Sequence, residues 1–123
     1  MSDEITHNAG PGLNLYAVRW QPNGNVFLTN GASDEVWGTA GRDADDYDVA
    51  MTEEDSSGHY KADFDASGNI AAGEYPITIY QRGGAAAADA DLPIGQGSLS
   101  WDGTAEITLS SLSISGFPAI LIR

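Results

Sequence analysis

Apolar and polar residues alternate in several short segments of this chain, and this alternation constrains the fold more than any other feature. Successive side chains of a β-strand point to opposite faces, so a period of two predicts strands with one buried face. The alternation is clearest in residues 59–64 and 74–80. As strands, these segments would point the following side chains toward the core: Tyr60, Ala62, Phe64, Tyr75, Ile77 and Ile79. No segment shows the apolar period of an amphipathic helix. The sequence therefore predicts an all-β protein.

The stretch SLSWDGTAEITL at residues 98–109 predicts a β-hairpin. Asp102 and Gly103 separate its alternating halves, and Asp-Gly is typical of a two-residue type I′ turn, in which both central residues have positive φ. We therefore expect Trp101 and Ile107 to share the inward face. With the segments above, the hairpin completes this predicted core: Tyr60, Phe64, Ile77, Ile79, Trp101 and Ile107.

Further strands are predicted by shorter patterns. Residues 13–20 and 25–29 would form two strands, and apolar residues on both faces of the first indicate burial on both sides. Residues 47–52 alternate with these side chains on one face: Tyr47, Val49 and Met51. Seven or eight short strands, spaced by about 8–15 residues, predict an antiparallel β-sandwich, immunoglobulin-like or transthyretin-like.

The chain of 123 residues is long enough for one domain with a single core. Residues 1–12 have no basic start and no apolar run, so they predict a flexible N-terminal tail rather than a secretory signal. Residues 13–123 predict the sandwich, and its C-terminal segment, 114–123, is apolar. The alanine-rich residues 83–93 predict a low-complexity loop.

The balance of charges limits the partners. Eighteen acidic residues against five lysines and arginines give a net charge of −13. Such a surface repels phosphate backbones and anionic lipids, so we expect neither nucleic-acid nor membrane binding. The absence of cysteine excludes a disulfide framework and a thiolate metal site.

The sequence predicts no enzymatic activity, no catalytic residues and no cofactor. Catalysis requires a convergent set of groups, but His7 lies in the predicted tail and His59 on the predicted outward face of a strand. No nucleophile-elbow motif is present.

Residues 63–74, DFDASGNIAAGE, have the residue order of a calcium-binding EF-hand loop. The relevant positions are these: Asp63, Asp65, Ser67, Gly68 and Glu74. However, both flanking segments predict strands, whereas an EF-hand loop is held by two helices. We therefore favour a turn that is capped by Asp65 and Ser67, with positive φ at Gly68 and Ile70 packed beneath it. We predict no metal site here; a calcium-dependent binding module is an alternative.

Two other groups of residues suggest binding sites. One is acidic, with Asp43, Asp45, Asp46 and Asp48, and we favour a solvated loop because runs of charge are usually exposed. A site shared with residues 63–74 would require the fold to bring the two loops together. The other is aromatic, since Trp20, Trp37, Trp101 and five tyrosines could bind carbohydrate. We expect Trp101 and most tyrosines to lie in the core instead.

The spacing of Gly, Tyr and Trp resembles a group of small, uncharacterised β-sandwich structural proteins of tailed bacteriophages and prophages. The resemblance spans residues 13–109. Its motifs are LYAVRW, VWG, YDVAMTE, SGHYKADF, AAGEYPITIY and IGQGSLSWDGTAEITL. It implies a non-enzymatic virion protein, either a capsid cement or decoration protein or a component of a tail or fibre. It also implies assembly in the host cytoplasm with other virion proteins and copies of itself, for example as a trimer. A carbohydrate-binding or adhesion module is the main alternative.

The C-terminal segment is the candidate assembly interface. Chain termini are usually polar and frayed, whereas this one carries four large apolar residues: Phe117, Ile120, Leu121 and Ile122. Gly116 and Pro118 interrupt the preceding strand pattern, so the segment could leave its own domain and pack on a neighbour. Completion of the sheet of its own domain is the alternative.

Overall fold

The computed structural model describes residues 4–107, and this part of the chain contains nine β-strands, two short 3₁₀ turns and no α-helix. The strands are β1 (Ile5–Asn8), β2 (Leu15–Arg19), β3 (Val26–Phe27), β4 (Asp34–Glu35), β5 (Val49–Ala50), β6 (Thr52–Glu53), β7 (His59–Ala62), β8 (Gly73–Gln81) and β9 (Leu92–Trp101). The 3₁₀ turns are Thr39–Gly41 and Ala44–Asp46. The prediction of an all-β chain is confirmed.

The strands form two larger antiparallel sheets that pack against each other as a β-sandwich. One sheet has the order β5-β2-β8-β9, and the other has the order β1-β7-β6. Strands β3 and β4 form a separate two-stranded ribbon. The predicted antiparallel sandwich is therefore confirmed.

The main core lies between the two larger sheets, where the inward faces of β7 and β8 meet, as their alternation predicts. Its buried members are Ile5, Leu15, Ala17, Phe27, Tyr60, Ala62, Phe64, Ile70, Tyr75, Ile77, Ile79, Leu99 and Trp101. Phe64 is fully buried, with its ring centroid 4.9 Å from that of Trp101 and 5.5 Å from that of Tyr75. All predicted core residues belong to this cluster except Ile107, which is only half-buried.

A second apolar cluster covers the outer face of β2. Its buried members are Tyr16, Val18, Val26, Ala44, Tyr47 and Ala87. Strand β2 is buried along its whole length, as the apolar residues 15–18 predict for all of it except Arg19. The predicted shared face of residues 47–52 is wrong, because Tyr47 packs in this second cluster whereas Val49 and Met51 pack against the main core.

The chain changes sheets near Met51. Strand β5 pairs with β2, while β6 pairs with β7 in the opposite sheet. Met51 connects them, and its N–H donates to the carbonyl of Leu15 at 3.0 Å. The single strand predicted for residues 47–52 is therefore two short strands, one in each sheet.

The prediction of a flexible tail over residues 1–12 is wrong for the part that the structure describes. Strand β1 pairs with β7, and Ile5 is 4% exposed in the main core. The Tyr60 hydroxyl extends this attachment, because it donates to the carbonyl of Gly10 at 2.6 Å and accepts from the N–H of Leu13 at 2.9 Å. Because β1 has only four residues and one buried apolar side chain, its sequence shows almost no alternation of apolar and polar residues, and the strand could not be predicted.

The turn at Asp102 differs from the predicted two-residue type. Trp101 pairs with Glu106, so four residues form the loop. Gly103 has a φ of 105°, but the φ of Asp102 is not positive, as type I′ would require. Instead, the Asp102 carboxylate accepts hydrogen bonds from the N–H groups of Thr104 and Ala105, at 2.8 and 2.7 Å. The side chain therefore closes a wider turn.

Residues 83–91 of the alanine-rich segment form a loop, as predicted, whereas Leu92 and Pro93 are wrongly included because they begin β9. Asp91 holds the loop against the sheet. Its carboxylate accepts hydrogen bonds from the Tyr16 hydroxyl at 2.7 Å, from Ala88 N–H at 2.8 Å and from Gly83 N–H at 3.1 Å. Burial opposes ionisation, but these bonds together lower the pKa of Asp91. The predicted apolar segment 114–123 lies outside the described residues, as do the predicted interface residues Phe117, Ile120, Leu121 and Ile122.

Candidate functional site

The loop that resembles an EF-hand in sequence is a turn that Asp65 caps, which confirms the favoured interpretation for Asp65, while the predicted cap by Ser67 stays a prediction. The two carboxylate oxygens of Asp65 accept the N–H groups of Asn69 and Ile70, at 3.0 and 2.9 Å. Gly68 has a φ of 73°, and Ile70 is buried beneath the loop. Glu74 lies in β8 and is exposed, with a carboxylate oxygen 3.4 Å from Ser98 Oγ. The absence of a shared ion at these residues stays a prediction.

The acidic loop is also organised by its own backbone. Oxygens of Asp43, Asp45 and Asp46 lie within 4.8 Å of one another. The Asp43 carboxylate accepts the N–H of Asp45 at 3.3 Å, while Asp46 accepts the N–H of Asp43 at 3.1 Å. Asp43 and Asp45 are exposed, as predicted for a solvated loop, whereas Asp46 and Asp48 are half-buried. These bonds form a capping box around the 3₁₀ turn.

The fold does bring the two acidic loops together. Asp45 and Asp46 line a shallow groove with Ser67, and the N–H of Thr29 donates to the Asp46 carbonyl at 3.0 Å. Neither Asp63 nor Asp65 lines this groove. Although the two loops are close, their carboxylates therefore do not form one set of metal ligands.

Repulsion between the carboxylates of the acidic loop predicts that the stability of the folded chain depends on pH. A hydrogen bond with Asp43 and the charge of that residue raise the pKa of Asp45 to about 6. The folded chain therefore binds this proton more tightly than the unfolded chain, and stability is lost as the pH rises through about 6. We expect Asp45→Asn to raise Tm slightly at pH 7 in low salt, and to have no effect near pH 4. Thermal unfolding at both pH values measures this, with Asp89→Asn as an exposed control. An equal shift at both pH values would contradict it.

The aromatic residues mostly pack against one another. Trp101 and four of the five tyrosines are buried, as expected. Trp20 and Trp37 are half-buried, and the centroid of Trp37 lies 5.5 Å from that of Trp20 and 4.7 Å from that of Tyr47. Trp20 Nε1 also donates to Thr78 Oγ1 at 3.1 Å. Because these rings stack on each other, no observation favours the carbohydrate-binding alternative.

Arg19 has a role that the sequence does not reveal. This side chain is 2% exposed, and its Nη1 donates to the Phe64 carbonyl at 2.7 Å. Its Nη2 donates to the carbonyls of Leu28 and Thr29, both at 2.8 Å. Burial lowers the pKa of Arg19 to about 10, with Asp65 acting in the opposite direction, so the side chain is charged at neutral pH. Arg19 therefore joins two loops to β2.

The open side of the sandwich is the strongest candidate surface. Strands β1 and β9 are edges of their sheets, and a cleft of about 230 Å³ lies between them and reaches Ile77, Ile79 and Leu99. Gly97 pairs with Ile77, and Gly95 pairs with Ile79. Because these glycines have no side chains, the edge of β9 leaves the cleft open. The His7 ring fills part of it, since a Cβ on Gly95 would lie 2.6 Å from His7 Cε1.

Most of strand β9 lacks the features that usually protect a sheet edge, which occur only near its first residues. Natural edge strands are short or carry lysine, proline or a bulge that discourages further pairing. This strand has ten residues and no charged one. Its only proline is Pro93, next to Leu92, and its register shift lies opposite Ile79 and Tyr80. Leu92 is 63% exposed. The surface could therefore accept another strand.

Comparison with known proteins gives no family assignment. No protein-family model, curated protein or solved structure matches this chain significantly. Within residues 4–107, no helix is long and apolar enough to cross a membrane. Neither the role of Arg19 nor the cleft was predicted from the sequence, although the Gly-x-Gly pattern at residues 95–97 is a signal for the cleft.

Proposed function

We propose that this protein is a non-enzymatic structural component of a tailed-phage virion. It acts as a capsid cement or decoration protein, or as part of a tail or fibre. It binds copies of itself and other virion proteins, and its assembly takes place in the host cytoplasm. No nucleic acid, membrane or cofactor is required for this role.

The observation that supports this proposal is the open side of the sandwich. An uncharged ten-residue edge strand and the exposed Leu92 lie there together, beside a cleft that reaches buried isoleucines. Exposed apolar surface and unpaired strand edges are typical of sites where protein chains associate. The apolar residues Phe117, Ile120, Leu121 and Ile122 supply a second apolar element to the interface.

The test removes those apolar side chains in the full-length chain. We expect the combined replacement Phe117→Ser, Ile120→Ser, Leu121→Ser and Ile122→Ser to leave Tm nearly unchanged and to abolish self-association in sedimentation velocity. The same variant should be lost from virions purified from the source strain on a density gradient. Val36→Ser is the matched control, because Val36 is a large apolar residue that is 66% exposed.

Each outcome has a distinct meaning. Loss of association and of virion incorporation at constant Tm supports an assembly interface at these residues. A large fall in Tm would mean that they belong to the core of their own domain, and the assembly role of the segment would be wrong. Absence of the wild-type chain from virions would refute the virion role itself.

A further inference from the structure

We propose that the free edge of β9 binds an extended, basic segment of another virion protein, and that the cleft beside it holds a lysine or arginine side chain of that segment. The inference rests on the proposed function, because it names the kind of partner that the open side of the sandwich receives. Backbone hydrogen bonds along β9 would hold the segment, and the charge around the cleft would select it.

The edge of β9 that faces away from β8 presents backbone groups for pairing. Trp101 lies between Gly73 of β8 on one side and Glu106 on the other. The Ser100 carbonyl points to the second side, because it accepts the N–H of Ile107 at 2.8 Å. Backbone groups alternate in direction along a strand, so the N–H and C=O groups of residues 96 and 98 point there too. Within residues 4–107, β8 is the only strand that pairs with β9, and an added strand can pair with these groups.

A side chain of the added strand would enter the cleft. Leu99 points into the main core, and Gly97 lies two residues earlier on the same face and lines the cleft. Residues directly opposite each other in neighbouring strands share a face. The residue opposite Gly97 would therefore point into the cleft. A Cβ on Gly97 meets no atom within 4 Å, so there is room beside it for that side chain.

Two carboxylates lie at one end of the cleft, those of Glu4 and Glu106. Glu4 accepts the N–H of Phe64 at 3.0 Å, and the Phe64 ring centroid lies 4.9 Å from that of Trp101. Trp101 in turn pairs with Glu106. Both carboxylates are therefore at the Trp101 end of the cleft.

The cleft suits a side chain with an apolar stem and a cationic end. Ile77, Ile79 and Leu99 line it and would contact the stem, while the two glutamates would face the charge. Lysine and arginine combine such a stem with such a charge. The His7 ring occupies the opposite end, since a Cβ on Gly95 would lie 2.6 Å from His7 Cε1. The charged group would therefore be directed toward the glutamates.

The charges of the chain favour a basic partner over a second copy. The net charge is −13, and none of the four lysines and arginines within residues 4–107 lines the cleft. Glu74 adds a further carboxylate beside β9, 3.4 Å from Ser98 Oγ. Two copies that paired through their β9 edges would bring these carboxylates together, and like charges across an interface repel. A basic segment would be attracted by the same groups.

Binding of short synthetic peptides to the full-length chain tests the class of partner. The probe is an extended peptide with blocked ends, in which valine alternates with threonine and the central valine is replaced by lysine. One control peptide has glutamate at the centre. The other has its lysine at a neighbouring threonine position, which keeps the charge but moves it to the other face. In fluorescence anisotropy at low salt, we expect the probe to bind more tightly than either control. Equal binding of either control, or no binding of the probe, would overturn the proposal.

Charge variants of the protein locate the bound lysine. We expect Glu4→Gln with Glu106→Gln to weaken binding of the probe by about fivefold or more at low salt, the effect of losing ion pairs. Glutamine keeps an oxygen that can accept the Phe64 N–H, so the fold should be retained. Asp55→Asn is the matched control, because it removes an exposed charge that does not line the cleft. If Asp55→Asn weakened binding as much, the overall charge would attract the probe and the cleft would not.

Ser98→Pro tests the backbone pairing. Proline has no N–H group, and the Ser98 N–H points away from β8. The substitution should therefore leave Tm nearly unchanged and abolish binding of the probe. Ser98→Ala keeps the N–H group and should bind as the wild type does. Wild-type affinity in a folded Ser98→Pro variant would mean that the probe does not pair with β9.

Hydrogen exchange of the wild-type chain distinguishes the other occupants of the edge. The amides of Gln96 and Ser98 should exchange rapidly in dilute protein and slowly once the probe is added. Slow exchange in dilute monomer would assign the edge to another part of the same chain, and protection that grows with protein concentration would assign it to a second copy. Either result would overturn the proposal.

The outcome of these experiments is separate from that of the virion test. Incorporation into virions without binding of the probe would refute the basic partner and leave the proposed function standing. Binding of the probe by a chain that is absent from virions would refute the virion role and leave the specificity of the edge standing.

Discussion

Replacement of Arg19 by methionine is expected to lower the free energy of unfolding by about 3–5 kcal/mol. Methionine fills a similar volume but donates no hydrogen bond, so the carbonyl oxygens of Thr29 and Phe64 lose the guanidinium donor. The Leu28 carbonyl also loses it but keeps the N–H of Gly31, at 2.7 Å. A buried polar group without a partner costs about 1–3 kcal/mol. Removing the buried charge recovers part of its desolvation cost, which keeps the net loss below the sum. Urea unfolding, followed by tryptophan fluorescence, measures the change.

Arg19→Lys is the matched control for charge. Lysine keeps the positive charge, but its single ammonium group cannot reproduce the planar fork that reaches carbonyls on two sides. We therefore expect Arg19→Lys to lose a large part of the same stability. If Arg19→Lys matched the wild-type chain, the charge alone would matter and the bridging role would be wrong. If Arg19→Met were as stable as the wild type, the three hydrogen bonds would contribute nothing measurable.

The strands with one buried face are those that the sequence predicts best. In β7, and from Tyr75 to Ile79 in β8, every second residue is buried between the sheets, and the side chains between them are more exposed. This is the physical origin of the period of two. Strand β2 is predicted for a different reason, since it is covered on both faces and its residues 15–18 form an unbroken apolar run before Arg19.

Elements whose stability comes from distant partners are not visible in the local pattern. Strand β1 contains one deeply buried side chain, Ile5, and exists because β7 offers it an edge. Tyr47 follows the capped 3₁₀ turn at Ala44–Asp46 and therefore faces the second cluster, although it is in phase with Val49. A period of two assumes a continuous strand, and the sheet change near Met51 breaks that assumption.

The candidate sites also differ in whether the residues that form them lie close together in the sequence. The turn at residues 63–74 was predictable because Asp65, Gly68 and Ile70 act within a few residues of one another. The role of Arg19 was not, because its acceptors include the carbonyl of Phe64, 45 residues away. The cleft was not predictable either, since it depends on β1 and β9 lying at the same side of the sandwich.

Replacement of Phe64 by alanine is expected to have a comparable effect, about 3–5 kcal/mol, which is typical when a buried aromatic ring is removed. Phe64 has no exposed surface, and its ring contacts Trp101 in β9 and Tyr75 in β8. The loss of stability therefore has two parts, the transfer of apolar surface to water and the cavity that is left beside two large rings. Those rings cannot move to fill the cavity without disturbing a ten-residue strand. The expected fall in Tm is roughly 10–25 °C.

Phe64→Leu separates packing from backbone effects. Leucine retains most of the apolar volume but not the aromatic contacts, so it should cost about 1–2 kcal/mol, between the wild type and alanine. Both variants keep the Phe64 carbonyl that Arg19 binds, so a loss in Phe64→Ala reports the ring rather than the hydrogen bond. Differential scanning calorimetry measures both. A Tm for Phe64→Ala within 2 °C of the wild type would mean that the two sheets do not pack through this residue, and the sandwich core would have to be assigned elsewhere.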